Sequence, residues 1–200
     1  MWSKDTIEWI DIELTSFCNI ECPGCLRQVM NDKVGHILNK SYTKLEDLKL
    51  WIPKGYLPNL KKINFCGSID EPTTHPQFLE IVDYFSDFTF VNIASNGSTK
   101  TENFWKELGK RKVSVFFGVD GVDQKSLSTY RIGSNFKKIK QNWRAFIKAG
   151  GIATWQFIVF EHNEHLLEKA RKMSEDEGFY QFRTIWSHRK TSGEVKNDKM

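Results

Sequence analysis

The chain has 200 residues, 40% of them hydrophobic, with 29 basic against 25 acidic side chains and a formal net charge of +4. That size suits one packed domain, the near balance of charge argues against nucleic acid as the main partner, and no apolar run in the sequence approaches membrane-spanning length. Four cysteines, three of them clustered, do not make a secreted disulfide framework and suit a reducing compartment that keeps thiolates free for metal, so a cytoplasmic protein is expected.

In chain order, apolar periodicity predicts six short strands: Ile7–Leu14, Lys61–Phe65, Phe90–Ala94, Val113–Val119, Ala153–Phe160 and Phe182–Ile185. Helical patterns fall between them at Lys44–Trp51, Pro76–Phe85, Thr101–Lys110, Phe136–Ala149 and His165–Glu177. Pro76 suits a first helical turn, and Gly150-Gly151 and Gly178 suit helix ends. Such alternation means parallel strands with crossover helices, an α/β fold, and six units are too few for a closed eight-unit barrel. Residues 1–186 are expected to form one core domain, and the polar, lysine-rich residues 187–200 a flexible C-terminal tail. The polar stretch Leu26–Thr43 has no clear period and reads equally as a cover over a site or as an ordinary surface connection.

Three cysteines, Cys18, Cys22 and Cys25, fall within eight residues as C-x3-C-x2-C, directly after the first strand, with Pro23 and Gly24 keeping the segment out of regular structure. Such a loop can turn three thiolates toward one point. Zinc usually takes four ligands from paired sites, and no second CxxC or histidine pair follows. An iron-sulfur cubane held by three thiolates leaves one iron open to a ligand that is not protein, which fits the count better.

C-x3-C-x2-C after a first strand resembles the signature of the radical S-adenosylmethionine (radical SAM) enzymes, and further landmarks follow in that family's order over nearly the whole chain. The resemblance implies a partial (β/α)6 TIM-like barrel of the radical SAM type. It also implies a [4Fe-4S] cluster on Cys18, Cys22 and Cys25, and S-adenosyl-L-methionine bound at the open iron. Reductive cleavage would leave methionine and a 5′-deoxyadenosyl radical that abstracts hydrogen from a substrate, with a low-potential electron donor such as flavodoxin or ferredoxin as partner. The substrate is a peptide or a small molecule, with peptide or protein modification favoured. No cysteine follows Cys66, so the chain looks like a minimal core without an auxiliary-cluster extension.

The remaining landmarks sit where loops leave the C-terminal ends of strands, the working end of parallel α/β folds. Gly67-Ser68-Ile69-Asp70-Glu71-Pro72 resembles the family's glycine-rich motif, whose exposed backbone receives the cofactor amino group; any of Ser68, Asp70 and Glu71 could make that contact. Ser95-Asn96-Gly97 resembles the segment after strand three. Gly118-Val119-Asp120-Gly121 resembles the segment after strand four, with Asp120 facing ribose hydroxyls and Gly118 in place of the usual serine. Arg131 matches the arginine that pairs with the cofactor carboxylate. The position before the last cluster cysteine, often an aromatic that stacks on adenine, is Gly24, and Phe17 is a possible substitute.

On strand five, Gln156 and Ile158 point opposite to Trp155 and Phe157; Gln156 reads either as a site residue or as an amide satisfied by backbone. His162-Asn163-Glu164-His165 reads more simply as a helix cap than as a metal site, and His36 and His75 carry no assignment. Cys66 is either a small apolar residue at a strand end or a group near substrate. Two rival readings are a glycyl-radical-enzyme activase and a non-catalytic zinc or iron-sulfur binding module.

Overall fold

The computed structural model of the protein describes residues 3–34 and 40–186. The expected tail 187–200, together with Gly35 and His36, lies outside the described residues. Six strands, β1 (Trp9–Ile12), β2 (Lys62–Phe65), β3 (Phe90–Ser95), β4 (Ser114–Gly118), β5 (Ile152–Val159) and β6 (Gln181–Trp186), form one all-parallel sheet in sequential order. Among the described residues seven α-helices accompany them: α1 (Leu26–Val34), α2 (Leu45–Trp51), α3 (Phe78–Ser86), α4 (Glu102–Lys110), α5 (Gln124–Ser128), α6 (Phe136–Lys148) and α7 (Leu167–Asp176). The architecture is the expected partial barrel: an open curved sheet with helices outside it.

Strand alternation decides which residues go where. Ile63 and Phe65, Val91 and Ile93, Val115 and Phe117, and Trp155 and Phe157 turn outward into a core shared with the helices, and all are at most 1% exposed. In register across the opposite face lie Asp11, Asn64 and Asn92, joined as a polar row by bonds of 2.6 and 3.1 Å. The concave face is therefore polar, and the strands read as half-buried rather than as uniform apolar runs.

The helices follow local signals. Thr101 caps α4 and Asn135 caps α6 through side-chain oxygens that accept main-chain N–H groups. Ile139, Trp143 and Phe146 recur on one face of α6 and are fully buried. Gly109 lets α4 lie directly against α6, since a Cβ there would stand 2.4 Å from the Phe146 carbonyl oxygen.

Three expectations are corrected. The Leu26–Thr43 stretch is not irregular throughout, because α1 begins directly after the cysteine loop, where Val29 N–H donates to the Cys25 carbonyl. The short helix α5 is an addition, nucleated by a reciprocal cap between Asp123 and Ser126. Asn163 does not cap the following helix with its side chain; the amide donates to the carbonyls of Asp120 and Ile158 and accepts from Phe160 N–H, tying the loops after β4 and β5 together.

Candidate active site

At the C-terminal end of the strands lies a cavity of about 220 Å³. Its walls include Cys18, Cys22 and Cys25, the segment from Cys66 to Glu71, Asn96, Gly118, Arg131, and Gln156 with Ile158. The three cysteines are in no disulfide and are at intermediate exposure. Among the described residues no three His, Cys, Asp or Glu side chains are grouped as a single ion would need.

The cysteine loop is held from three sides. Glu71 N–H donates to the Phe17 carbonyl at 2.7 Å, Glu21 N–H donates to the Ile132 carbonyl at 2.9 Å, and the Asn96 amide donates to Asn19 Oδ1 at 2.9 Å. Asn19 in turn donates to Ser98 Oγ. Loops after β2, β3 and β4 thus fix a segment that has no regular structure of its own. Burial pushes the Cys18 thiol up to about 12, so ligation there must displace a proton.

Glu71 is 1% exposed and accepts from Thr73 N–H, Thr73 Oγ1, Ser95 Oγ and Asn96 N–H. Burial pushes its carboxyl above the usual range despite those donors. Asp70 is 7% exposed, and its Oδ2 accepts from Leu14 and Thr15 N–H, each at 3.1 Å. Burial first, and Glu13 second, push Asp70 up to about 9. Gly67 turns the chain at φ +60°, where a Cβ would meet the Ala94 carbonyl oxygen at 3.1 Å, and Ser68 carries its backbone along the cavity wall.

On the other side Asp120 is fully buried. Its Oδ1 accepts from Ile158 N–H and its Oδ2 from Arg131 Nε, both at 2.7 Å, and it does not line the cavity. The expectation that Asp120 faces ribose hydroxyls is corrected: its carboxylate orients Arg131. Burial opposes the guanidinium charge, yet Asp120 holds it above the ordinary range. The guanidinium lies over Gly118, where a Cβ would come within 2.7 Å of Nη2, so glycine in place of serine makes room for arginine. Gln156 points into the cavity opposite the buried Trp155, as strand period requires.

Phe17 stacks on Tyr42 at 4.6 Å and 12° and does not line the cavity. His75 accepts from Gln77 N–H at Nδ1 and meets the Thr43 carbonyl at Nε2, a structural role. Among the residues that sequence reasoning missed are Glu13, behind the cavity wall, and Arg27, on it. Glu13 continues the inward face of Trp9 and Asp11 past the end of β1, a strand-period signal hidden inside the predicted Ile7–Leu14 run. Arg27, in the first turn of α1, lines the cavity with a buried Nε that has no hydrogen-bond partner.

Comparison with known proteins places these features in a context. Residues 12–174 match the Radical SAM superfamily. The chain is 33% identical over 116 residues to the tungsten-containing aldehyde ferredoxin oxidoreductase cofactor-modifying protein of Pyrococcus furiosus, which covers 57% of this chain and 31% of that one. It is 30% identical over 144 residues to the 7,8-dihydro-6-hydroxymethylpterin dimethyltransferase of Methanocaldococcus jannaschii, covering 69% and 27%. The chain thus spans less than a third of the length of these curated relatives. In fold it is similar to Streptococcus suis SuiB bound to S-adenosylmethionine, with a TM-score of 0.77, 12% identity, and coverage of 95% of this chain and 44% of that one. It is also similar to SuiB bound to the precursor peptide SuiA, with a TM-score of 0.73, 11% identity, and coverage of 88% and 38%.

Proposed function

The chain belongs to the radical SAM superfamily, and on that premise we propose that Cys18, Cys22 and Cys25 hold a [4Fe-4S] cluster while the loops after β2 to β5 hold S-adenosylmethionine against it. When bound, this pair supplies the hard chemistry, reductive cleavage to methionine and a 5′-deoxyadenosyl radical that takes hydrogen from a substrate. The chain's own residues bind and orient. The Gly67–Glu71 backbone offers close approach to an ammonium. Arg131, its Nε engaged by Asp120, presents the rest of its guanidinium over Gly118 to a carboxylate. Gln156 and Ile158 form the opposite wall. Asn96 acts through Asn19 and through Glu71, positioning the cysteine loop rather than a substrate.

The observation that carries this reading is that three cysteines from one loop, none in a disulfide, share a cavity with the glycine-turned segment after β2 and with a carboxylate-oriented arginine. For the substrate we propose peptide or protein modification, with a low-potential flavodoxin or ferredoxin as electron donor and the cytoplasm as the site of action. Among the described residues no helix is long and apolar enough to cross a membrane. A second reading, a small cofactor-like molecule, is favoured by the names of the two curated relatives, which speak of cofactor modification and of a pterin.

Anaerobic reconstitution tests the proposal. About four irons per chain, with methionine and 5′-deoxyadenosine released on reduction, are expected; Cys18→Ala, Cys22→Ala or Cys25→Ala abolishes both. Zinc retained at one per chain, with neither product formed, would identify a binding module instead.

A further inference from the structure

Cys66 is not adequately described as a small residue at a strand end. It lines the cavity, and its thiol donates to Glu13 Oε1 at 3.0 Å, the same oxygen that accepts Ser68 N–H at 2.9 Å. Glu13 also acts on Asp70, whose carboxyl it helps push up, and each of the two leaves one buried oxygen, Glu13 Oε2 and Asp70 Oδ1, without a hydrogen-bond partner. A proton carried by Asp70 would let the two carboxyls pair. Asp70 Oδ2 already accepts two main-chain N–H groups, so Oδ1 is the oxygen left to carry the proton toward Glu13. Cys66, Glu13 and Asp70 thus follow one another from the cavity wall inward.

We propose, resting on the radical SAM reading above, that Cys66 is a hydrogen-atom donor to carbon radicals formed in the cavity, and that Glu13 and Asp70 restore its proton. The S–H bond is weak and Cys66 lines the reaction space. In the step, the Cys66 S–H bond breaks homolytically and a C–H bond forms, leaving a sulfur-centred radical. One electron from the same class of low-potential one-electron donor reduces that sulfur to thiolate. Glu13 passes it a proton, Asp70 supplies Glu13, and solvent replaces the proton on Asp70. The net change is one electron and one proton delivered to the carbon radical. Burial and Glu13 push the Cys66 thiol up to about 12, so the sulfur holds its hydrogen at neutral pH. The reaction class this implies is one whose substrate radical is closed by hydrogen return rather than by loss of a second electron.

The test uses S-adenosylmethionine alone, with the reconstituted protein and dithionite in D2O, so that no substrate need be known. Wild-type protein should yield 5′-deoxyadenosine carrying one deuterium taken from the exchanged thiol. Cys66→Ser keeps a donor to Glu13 but has an O–H bond too strong to surrender a hydrogen atom, so the nucleoside should still form while its deuterium is lost. Deuterium undiminished in Cys66→Ser overturns the proposal and leaves the radical SAM reading standing; no 5′-deoxyadenosine from wild-type protein sinks both. A second measurement needs no cluster: in the metal-free protein the infrared S–H stretch of Cys66, identified by its disappearance in Cys66→Ser, should move to higher frequency in Glu13→Gln. An unmoved band would overturn the relay.

Discussion

The two halves of the cavity mouth treat buried acids differently. After β1 and β2, the hydrogen bonds that Glu13, Asp70 and Glu71 accept among the described residues come from neutral donors: main-chain N–H groups, hydroxyls and a thiol. After β4, Asp120 meets a guanidinium. Neutral donors leave burial uncompensated, so Asp70 and Glu71 are pushed toward their protonated forms. The guanidinium fixes a permanent ion pair instead. One half of the mouth can store and pass protons, while the other holds charge in place.

Four substitutions break or sharpen that contrast. Arg131→Met should be the most damaging to stability, at about 3–5 kcal/mol by urea denaturation, because it strands the fully buried Asp120 charge. Glu71→Gln should cost less, about 1–3 kcal/mol, since one face of the amide must confront donors that the carboxylate accepted; a cost equal to that of Arg131→Met would erase the difference between the halves. Gly118→Ser should cost about 1 kcal/mol as the guanidinium is pushed aside. Its larger effect should be weaker S-adenosylmethionine binding by calorimetry. Asp70→Asn should be close to neutral in mild acid, because the amide oxygen keeps Leu14 and Thr15 N–H while its NH2 replaces the hydroxyl toward Glu13. Its signature is in the pH dependence. A carboxyl raised from 3.8 to about 9 stabilises the folded state fully below the lower value and loses that contribution as pH rises through the upper one. Wild-type midpoints should therefore fall between pH 5 and 9 more steeply than those of Asp70→Asn, and parallel curves would show that Asp70 holds no such proton.

The strands were legible because alternation survives burial on one face. Lys61–Phe65 against Lys62–Phe65, and Val113–Val119 against Ser114–Gly118, differ only at the ends. The cysteine triad was legible because its ligands are neighbours in sequence. What could not be read depends on register between strands. Glu13 gains meaning only when β1 and β2 align to bring it beside Cys66 and Asp70. Asp120 was given a ligand role because its position along the chain suited one, and only the fold reveals that Arg131 and the Ile158 main chain consume both its oxygens. Likewise α1 has a polar sequence that local propensity does not mark, and it forms where the preceding loop delivers its first turn.

The aromatic layer between sheet and helices has a practical use. Trp105, Trp143 and Trp155 are all fully buried there, with Trp143 and Trp155 only 5.1 Å apart, while Trp9, Trp51 and Trp186 lie in contact with water. The chain thus carries two built-in optical reporters, a blue-emitting set behind the sheet and a red-emitting set outside it. Occupancy of the mouth should leave the blue set unshifted, whereas any event that slides α6 off the strands should shift it at once.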